Sequence, residues 1–174
     1  ETASVFGEML TFRSMLANTT DKKHRFAMLS GKVEDMLNTV VRQIGFYTFE
    51  RKVHTARRQG ELTTEQLNQF WLEVSAESLG PGIKLNDGYG IFWSYVPHFI
   101  HSPFYVYAYA FGDCLVNSLY AQYEKASDGF AERYFELLKA GGSKHHSELL
   151  KPFGLDARDP NFWSLGLSMI EGFI

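Results

Sequence analysis

Seven apolar residues, Phe26, Leu29, Val33, Met36, Val40, Ile44 and Tyr47, recur at steps of three and four. A stripe of that period sustained over so many turns is compatible with a long amphipathic helix and not with a strand, whose period is two. The polar segment from Asn18 to Asp21 precedes it, and Asp21 or a neighbouring threonine can cap its first turn. Arg57 and Arg58 suit the negative end of the helix dipole, and Gly60 follows as a stop. Gly31 and Gly45 inside the pattern either weaken the helix or mark close packing.

The rest of the chain has the same character. Val5, Met9, Phe12 and Leu16 predict a helix from Glu1 to about Leu16. Thr63 with Gln66 forms a capping box that opens a helix bearing Leu67, Phe70, Trp71 and Val74, which Gly80-Pro81-Gly82 ends. From Ile83 to His101 periodicity is lost around Gly88-Tyr89-Gly90, which predicts one long ordered loop with room for a short strand. Gly88-Tyr89-Gly90 reads either as a substrate-contacting loop or as a plain turn. Ser102-Pro103 is a start signal for an aromatic-rich helix. Ser127-Asp128, Ser143 and Asp159-Pro160 start three more, the last carrying Trp163, Leu167 and Ile170. No period-two run is long enough for a strand, so the fold class is all-α.

Net charge and cysteine usage narrow the function classes. A formal net charge of -3 gives no basic patch for nucleic acid. The longest apolar stretch, Phe104 to Tyr120, is interrupted by Asp113 and Asn117 and is shorter than the ~20 residues of a membrane span, so no membrane partner is expected. A single cysteine, Cys114, excludes an internal disulfide framework, fits a reducing, cytoplasmic compartment, and reads as a small packed apolar residue. The chain opens at Glu1 on a helical pattern with no apolar leader. Glu1 and Glu8 stand at i and i+7, which puts both carboxylates on one helix face about 10 Å apart. By spacing alone that is a solvated face.

The ordered motifs add a second line of reasoning. Glu1-Thr2-Ala3-Ser4-Val5-Phe6-Gly7-Glu8, then Val41-Arg42-Gln43-Ile44-Gly45-Phe46-Tyr47-Thr48-Phe49-Glu50, then Asp87-Gly88-Tyr89-Gly90 follow one another along the chain. Trp93-Ser94-Tyr95-Val96-Pro97-His98-Phe99-Ile100 and Ser102-Pro103-Phe104-Tyr105-Val106-Tyr107-Ala108-Tyr109 come next. Ala140-Gly141-Gly142-Ser143-Lys144 and Pro152-Phe153-Gly154-Leu155-Asp156 complete the series. In this order the chain resembles, over essentially its whole length, the C-terminal part of oligoendopeptidase F-type zinc metallopeptidases of the thimet oligopeptidase family.

The resemblance implies a single helical unit over residues 1–174, the C-terminal portion of a zincin-type oligopeptidase catalytic domain. It implies a zinc-dependent metalloendopeptidase that hydrolyses internal bonds of short peptides. Glu1 matches the family's glutamate ligand to Zn2+, and Glu8 matches a supporting carboxylate further along the same helix. His98 matches the histidine that helps stabilise the oxyanion, with Tyr105, Tyr107 and Tyr109 as candidates for the accompanying tyrosines. On a helix Tyr105 and Tyr109 share a face while Tyr107 points about 200° from Tyr105, so only one set faces a cleft squarely. Without the resemblance, core packing accounts for that row of tyrosines.

None of the six histidines is followed by glutamate, so the chain contains no His-Glu-x-x-His. The resemblance therefore implies that two further zinc ligands and the catalytic glutamate lie in an upstream portion of the same polypeptide, about 25 residues before Glu1. The chain alone is expected to be inactive. The competing expectation is a non-catalytic helical module that keeps only peptide binding. A di-iron helical protein is excluded, because no glutamate has a histidine three residues on. His98 and His101 form a His-x-x-His pair, but no cysteine or carboxylate stands at ligand spacing beside them.

Overall fold

The structure, a computed structural model, describes residues 2–125 and 128–174. The elements run α1 (Thr2–Asn18), α2 (Lys22–Leu37), a π-helical turn (Asn38–Arg42), α3 (Gln43–Arg57) and α4 (Thr64–Leu79). A 3-10 segment (Asp87–Tyr95), α5 (His98–His101), α6 (Tyr107–Lys125), α7 (Phe130–Ala140), α8 (His146–Leu150), a 3-10 turn (Lys151–Phe153) and α9 (Pro160–Glu171) follow. There is no strand among the described residues, in agreement with an all-α fold. The chain divides into two compact units, Glu1–Met36 with Gly112–Ile174, and Leu37–Phe111.

The long apolar stripe does not bury as one face. Met36 and Val40 are buried, yet Phe26 is 74% and Ile44 45% exposed. The π turn at Asn38–Arg42 inserts one extra residue, which offsets the α3 side chains by about 100° from the register of the stripe. The buried face of α3 is consequently Phe46, Phe49 and Glu50. Gly45 has a packing reason for being glycine, since a Cβ there would run into the Ser78 side chain on α4. Gly31, by contrast, has nothing within 4 Å of such a Cβ.

In the unit Leu37–Phe111 the core is Phe46, Phe49, Trp71, Val74, Val96 and Val106, with Phe99 and Trp93 packed against it. The capping box forms as the sequence predicts: the Gln66 N–H donates to Thr63 Oγ1, and the Thr63 N–H donates to Gln66 Oε1. The predicted loop from Ile83 to His101 is a correction. Much of it is helical, a 3-10 segment and the single turn α5, held to α4 by a hydrogen bond from Trp93 Nε1 to Asn68 Oδ1 at 2.8 Å. Three-residue turns have no 3.6-residue stripe, which is why periodicity failed there.

In the other unit, α6 is buried at every residue from Gly112 to Ala121. Gly166 of α9 lies directly on the Cys114 backbone, and Ser118 Oγ donates to the Phe162 carbonyl at 3.0 Å. Phe6 of α1 is the centre of an aromatic cluster with Tyr120, Phe130 and Tyr134, at 6.0, 5.7 and 4.5 Å between ring centres. α7 begins after Gly129, whose φ of 66° is left-handed; Ser127, proposed as its start signal, lies outside the described residues. Of the later start signals, Asp159 serves as the cap, accepting from the Asn161 N–H ahead of Pro160, whereas α8 is capped two residues past the expected Ser143 by His145, which accepts from the Ser147 N–H.

Candidate active site

Two buried valines fix the segment that carries the site. Val96 (4% exposed) and Val106 (0%) are anchored in the aromatic core, and the segment between them carries α5. Inside that segment Phe99 points into the core, with its ring 5.0 Å from Phe49 and 5.7 Å from Phe46. Neighbouring side chains on a helical turn diverge by about 100°. With Phe99 turned inward, His98 is left half-buried at the surface.

His98 is the centre of a three-ring cluster. Its Nε2 and the Tyr109 hydroxyl are 3.1 Å apart, a hydrogen bond whose direction depends on the imidazole tautomer. The Tyr105 ring lies parallel to the imidazole, 6.3 Å away with planes 5° apart. Tyr109 meets both edge-on, at 5.7 Å from His98 and 5.4 Å from Tyr105. Tyr107 goes elsewhere: it is 49% exposed and its ring packs at 5.9 Å on Tyr47. Of the two sets of tyrosines left open by the sequence, the structure brings Tyr105 and Tyr109 to His98 and leaves Tyr107 out.

The helix start predicted at Ser102-Pro103 is a second correction. α6 begins at Tyr107, because Phe104 has φ 60° and turns the chain out of a right-handed path. A left-handed backbone costs a non-glycine residue on the order of 1–2 kcal/mol. Two contacts to α3 hold it: the Phe104 N–H donates to Glu50 Oε1 at 2.8 Å, and its ring lies 4.7 Å from His54. Glu50 is only 1% exposed, and its Oε2 has no hydrogen-bond partner among the described residues. Burial pushes the Glu50 carboxyl above its ordinary range, opposed by the Phe104 N–H and by the charges of His54 and His98. Sequence reasoning gave neither Glu50 nor His54 a role. The available signal was that Glu50 stands four residues after Phe46 and so shares its buried face.

Glu8 belongs to the other unit, where it is exposed and pairs with the buried Lys32 at 2.5 Å. Asp113, also buried there, is pushed up by desolvation, against the pull of the Lys32 charge and a hydrogen bond from Asn117 Nδ2 at 3.1 Å. Glu1, the expected metal ligand, lies outside the described residues. Among the described residues no group of three His, Cys, Asp or Glu side chains could hold a metal ion, and that includes His98 and His101. A catalytic zinc needs about three protein ligands, so the described residues do not by themselves form its site.

Fold and cluster together define an all-helical protein that presents a histidine and two tyrosines from one pinned segment. Comparison with known proteins supplies the family. Peptidase family M3 matches residues 1–169, and the chain belongs to that family. It is 34% identical over 172 residues to oligopeptidase PepF of Bacillus subtilis, covering 98% of this chain and 26% of that protein. The plasmid oligoendopeptidase F of Lactococcus lactis subsp. cremoris is 31% identical, with 98% of this chain and 28% of that protein covered. Among solved structures, oligoendopeptidase-F from Enterococcus faecium matches with a TM-score of 0.86 at 26% identity, covering 99% of this chain and 34% of that one. The chain thus spans about a quarter to a third of the length of these relatives.

Proposed function

We propose that this chain forms the oxyanion-stabilising part of a cytoplasmic, zinc-dependent metalloendopeptidase that hydrolyses internal bonds of short peptides. The observation that carries the reading is the hydrogen bond between His98 and Tyr109, with Tyr105 stacked beside them, in a member of peptidase family M3. Glu1 serves as one metal ligand and Glu8 supports the same helix face. The remaining ligands and the catalytic glutamate come from an upstream portion of the polypeptide, and without it these residues are inactive.

The chemistry open to this chain's own residues is donation of hydrogen bonds. As a peptide carbonyl becomes tetrahedral its oxygen gains negative charge, and donors already held in place stabilise it without having to reorganise. Tyr109 and His98 order each other through their hydrogen bond, and the edge-on contact with Tyr105 fixes the ring planes. Either group can turn its proton toward an arriving oxyanion. Tyr107 lies on the side that faces Tyr47 and takes no part in this arrangement.

His98→Ala and Tyr109→Phe in the intact gene product test the assignment. Each is expected to lower kcat by about 100-fold or more with zinc still bound, the usual loss for an oxyanion donor. A rise in KM with kcat unchanged would assign the cluster to substrate binding instead.

A further inference from the structure

Glu50 occupies a place where a carboxylate is costly. It lies beside Phe46 and Phe49 on the buried face of α3, with one oxygen bonded to a backbone N–H and the other without a partner among the described residues. A leucine would fill the same space without desolvating a charge. What the carboxylate adds is its grip on Phe104, whose φ of 60° makes it the only left-handed non-glycine residue among those described.

Phe104 is the corner of the site. It separates α5, which carries His98, from Tyr105 and from α6, which carries Tyr109. Rotating this residue to an ordinary negative φ would swing Tyr105 away from the parallel stack on His98 and change where α6 starts. α3 holds the corner twice, by the Glu50 carboxylate on its backbone and by the Tyr47 and His54 rings on its side chain, at 6.4 and 4.7 Å. Glu50 itself touches no part of the three-ring cluster through any hydrogen bond seen here.

We propose that Glu50 is a positioning residue: through Oε1 it locks the left-handed corner at Phe104 that sets Tyr105 and Tyr109 against His98. The inference rests on reading that cluster as the oxyanion-stabilising site, and it adds the part of the fold that keeps the cluster assembled. An exposed loop would sample both signs of φ at such a corner; a buried acceptor selects one.

The test uses the intact gene product with Glu50→Leu, Glu50→Gln, Phe104→Asn and the combination of Glu50→Leu with Phe104→Asn. Glu50→Leu removes the acceptor without leaving a hole, and is expected to lower kcat about tenfold or more with KM changed less than about threefold. Amide hydrogen exchange over residues 104–108 should quicken by about tenfold in the same variant. Glu50→Gln keeps an oxygen for the Phe104 N–H and should stay within about threefold of the parent in kcat. Asparagine tolerates left-handed backbone, so adding Phe104→Asn to Glu50→Leu should recover about fivefold or more of the lost kcat.

Two results overturn the proposal: unchanged exchange at the corner in Glu50→Leu, or a double variant no better than Glu50→Leu alone. A core role without positioning would move stability but give no such recovery. Should the leucine variant fail to fold, Phe104→Val opens the corner from its other partner, because a β-branched residue resists left-handed backbone; unchanged exchange there overturns the lock. If the intact protein cleaves no peptide, the peptidase reading falls, and the exchange comparison by itself decides whether Glu50 holds the corner.

Discussion

Gly166→Ala and Gly31→Ala make opposite predictions from the same chemical change. Both glycines are inside helices, where alanine is favoured by roughly 0.8–1.0 kcal/mol through helix propensity alone. At Gly31, on an exposed stretch of α2, a new Cβ meets nothing within 4 Å, so that gain should appear in full as added stability. At Gly166 the same Cβ would lie 2.9 Å from the Cys114 carbonyl oxygen, 3.1 Å from its Cα and 3.2 Å from its Cβ. Those are mostly backbone atoms in the most buried stretch of α6 and cannot rotate out of the way, so α9 has to lift from α6. Overpacking of this kind costs about 1–3 kcal/mol. The gain in propensity offsets part of it, leaving Gly166→Ala between nearly neutral and about 2 kcal/mol destabilising. The quantity to measure is the difference between the two variants, by urea unfolding with a shared slope; it should equal the overpacking cost, about 1–3 kcal/mol. If Gly166→Ala stabilises as much as Gly31→Ala, the close approach of α9 to α6 is wrong.

Two further predictions concern buried titrating groups. Asp113 has its carboxyl raised by burial, against the Lys32 charge and the Asn117 amide and with the help of the Glu8 charge. The native state therefore binds more protons than the unfolded one from the ordinary aspartate value of 3.8 upward, and stability falls as pH rises through that window. Asp113→Asn should flatten the fall, seen as urea midpoints for the two proteins that diverge with rising pH; a constant difference would refute it. Cys114 has its thiol pushed up to about 11, first by burial and then by the Asp113 charge. At neutral pH it should react with a thiol reagent only after unfolding, and rapid labelling of native protein would contradict the burial.

The helices were legible wherever a local rule governs them. The Thr63–Gln66 capping box, the Gly80 stop and the Asp159-Pro160 start are short-range chemistry, and each stands where the sequence puts it. Past Val40 the stripe from Phe26 to Tyr47 misled because the π turn shifts the register, and no periodicity argument sees one inserted residue; Phe26 lies before that turn and is exposed on α2 itself. Gly31 and Gly45 look alike in sequence and differ only in what faces them. Resemblance pointed to His98 and a row of three tyrosines, while which of those tyrosines meet His98 waited on the corner at Phe104. A proline beside a serine signals a helix start, and here a tertiary hydrogen bond from the next residue overrides it.

Peptide hydrolysis by the intact gene product before and after metal removal tests the central claim most directly. With an unstructured peptide as substrate and mass spectrometry of the fragments, cleavage at internal bonds is expected, lost on chelation and restored by Zn2+. Cleavage that survives complete removal of the metal, or no cleavage at any zinc level, would contradict the account and leave the His98 cluster without its proposed reaction.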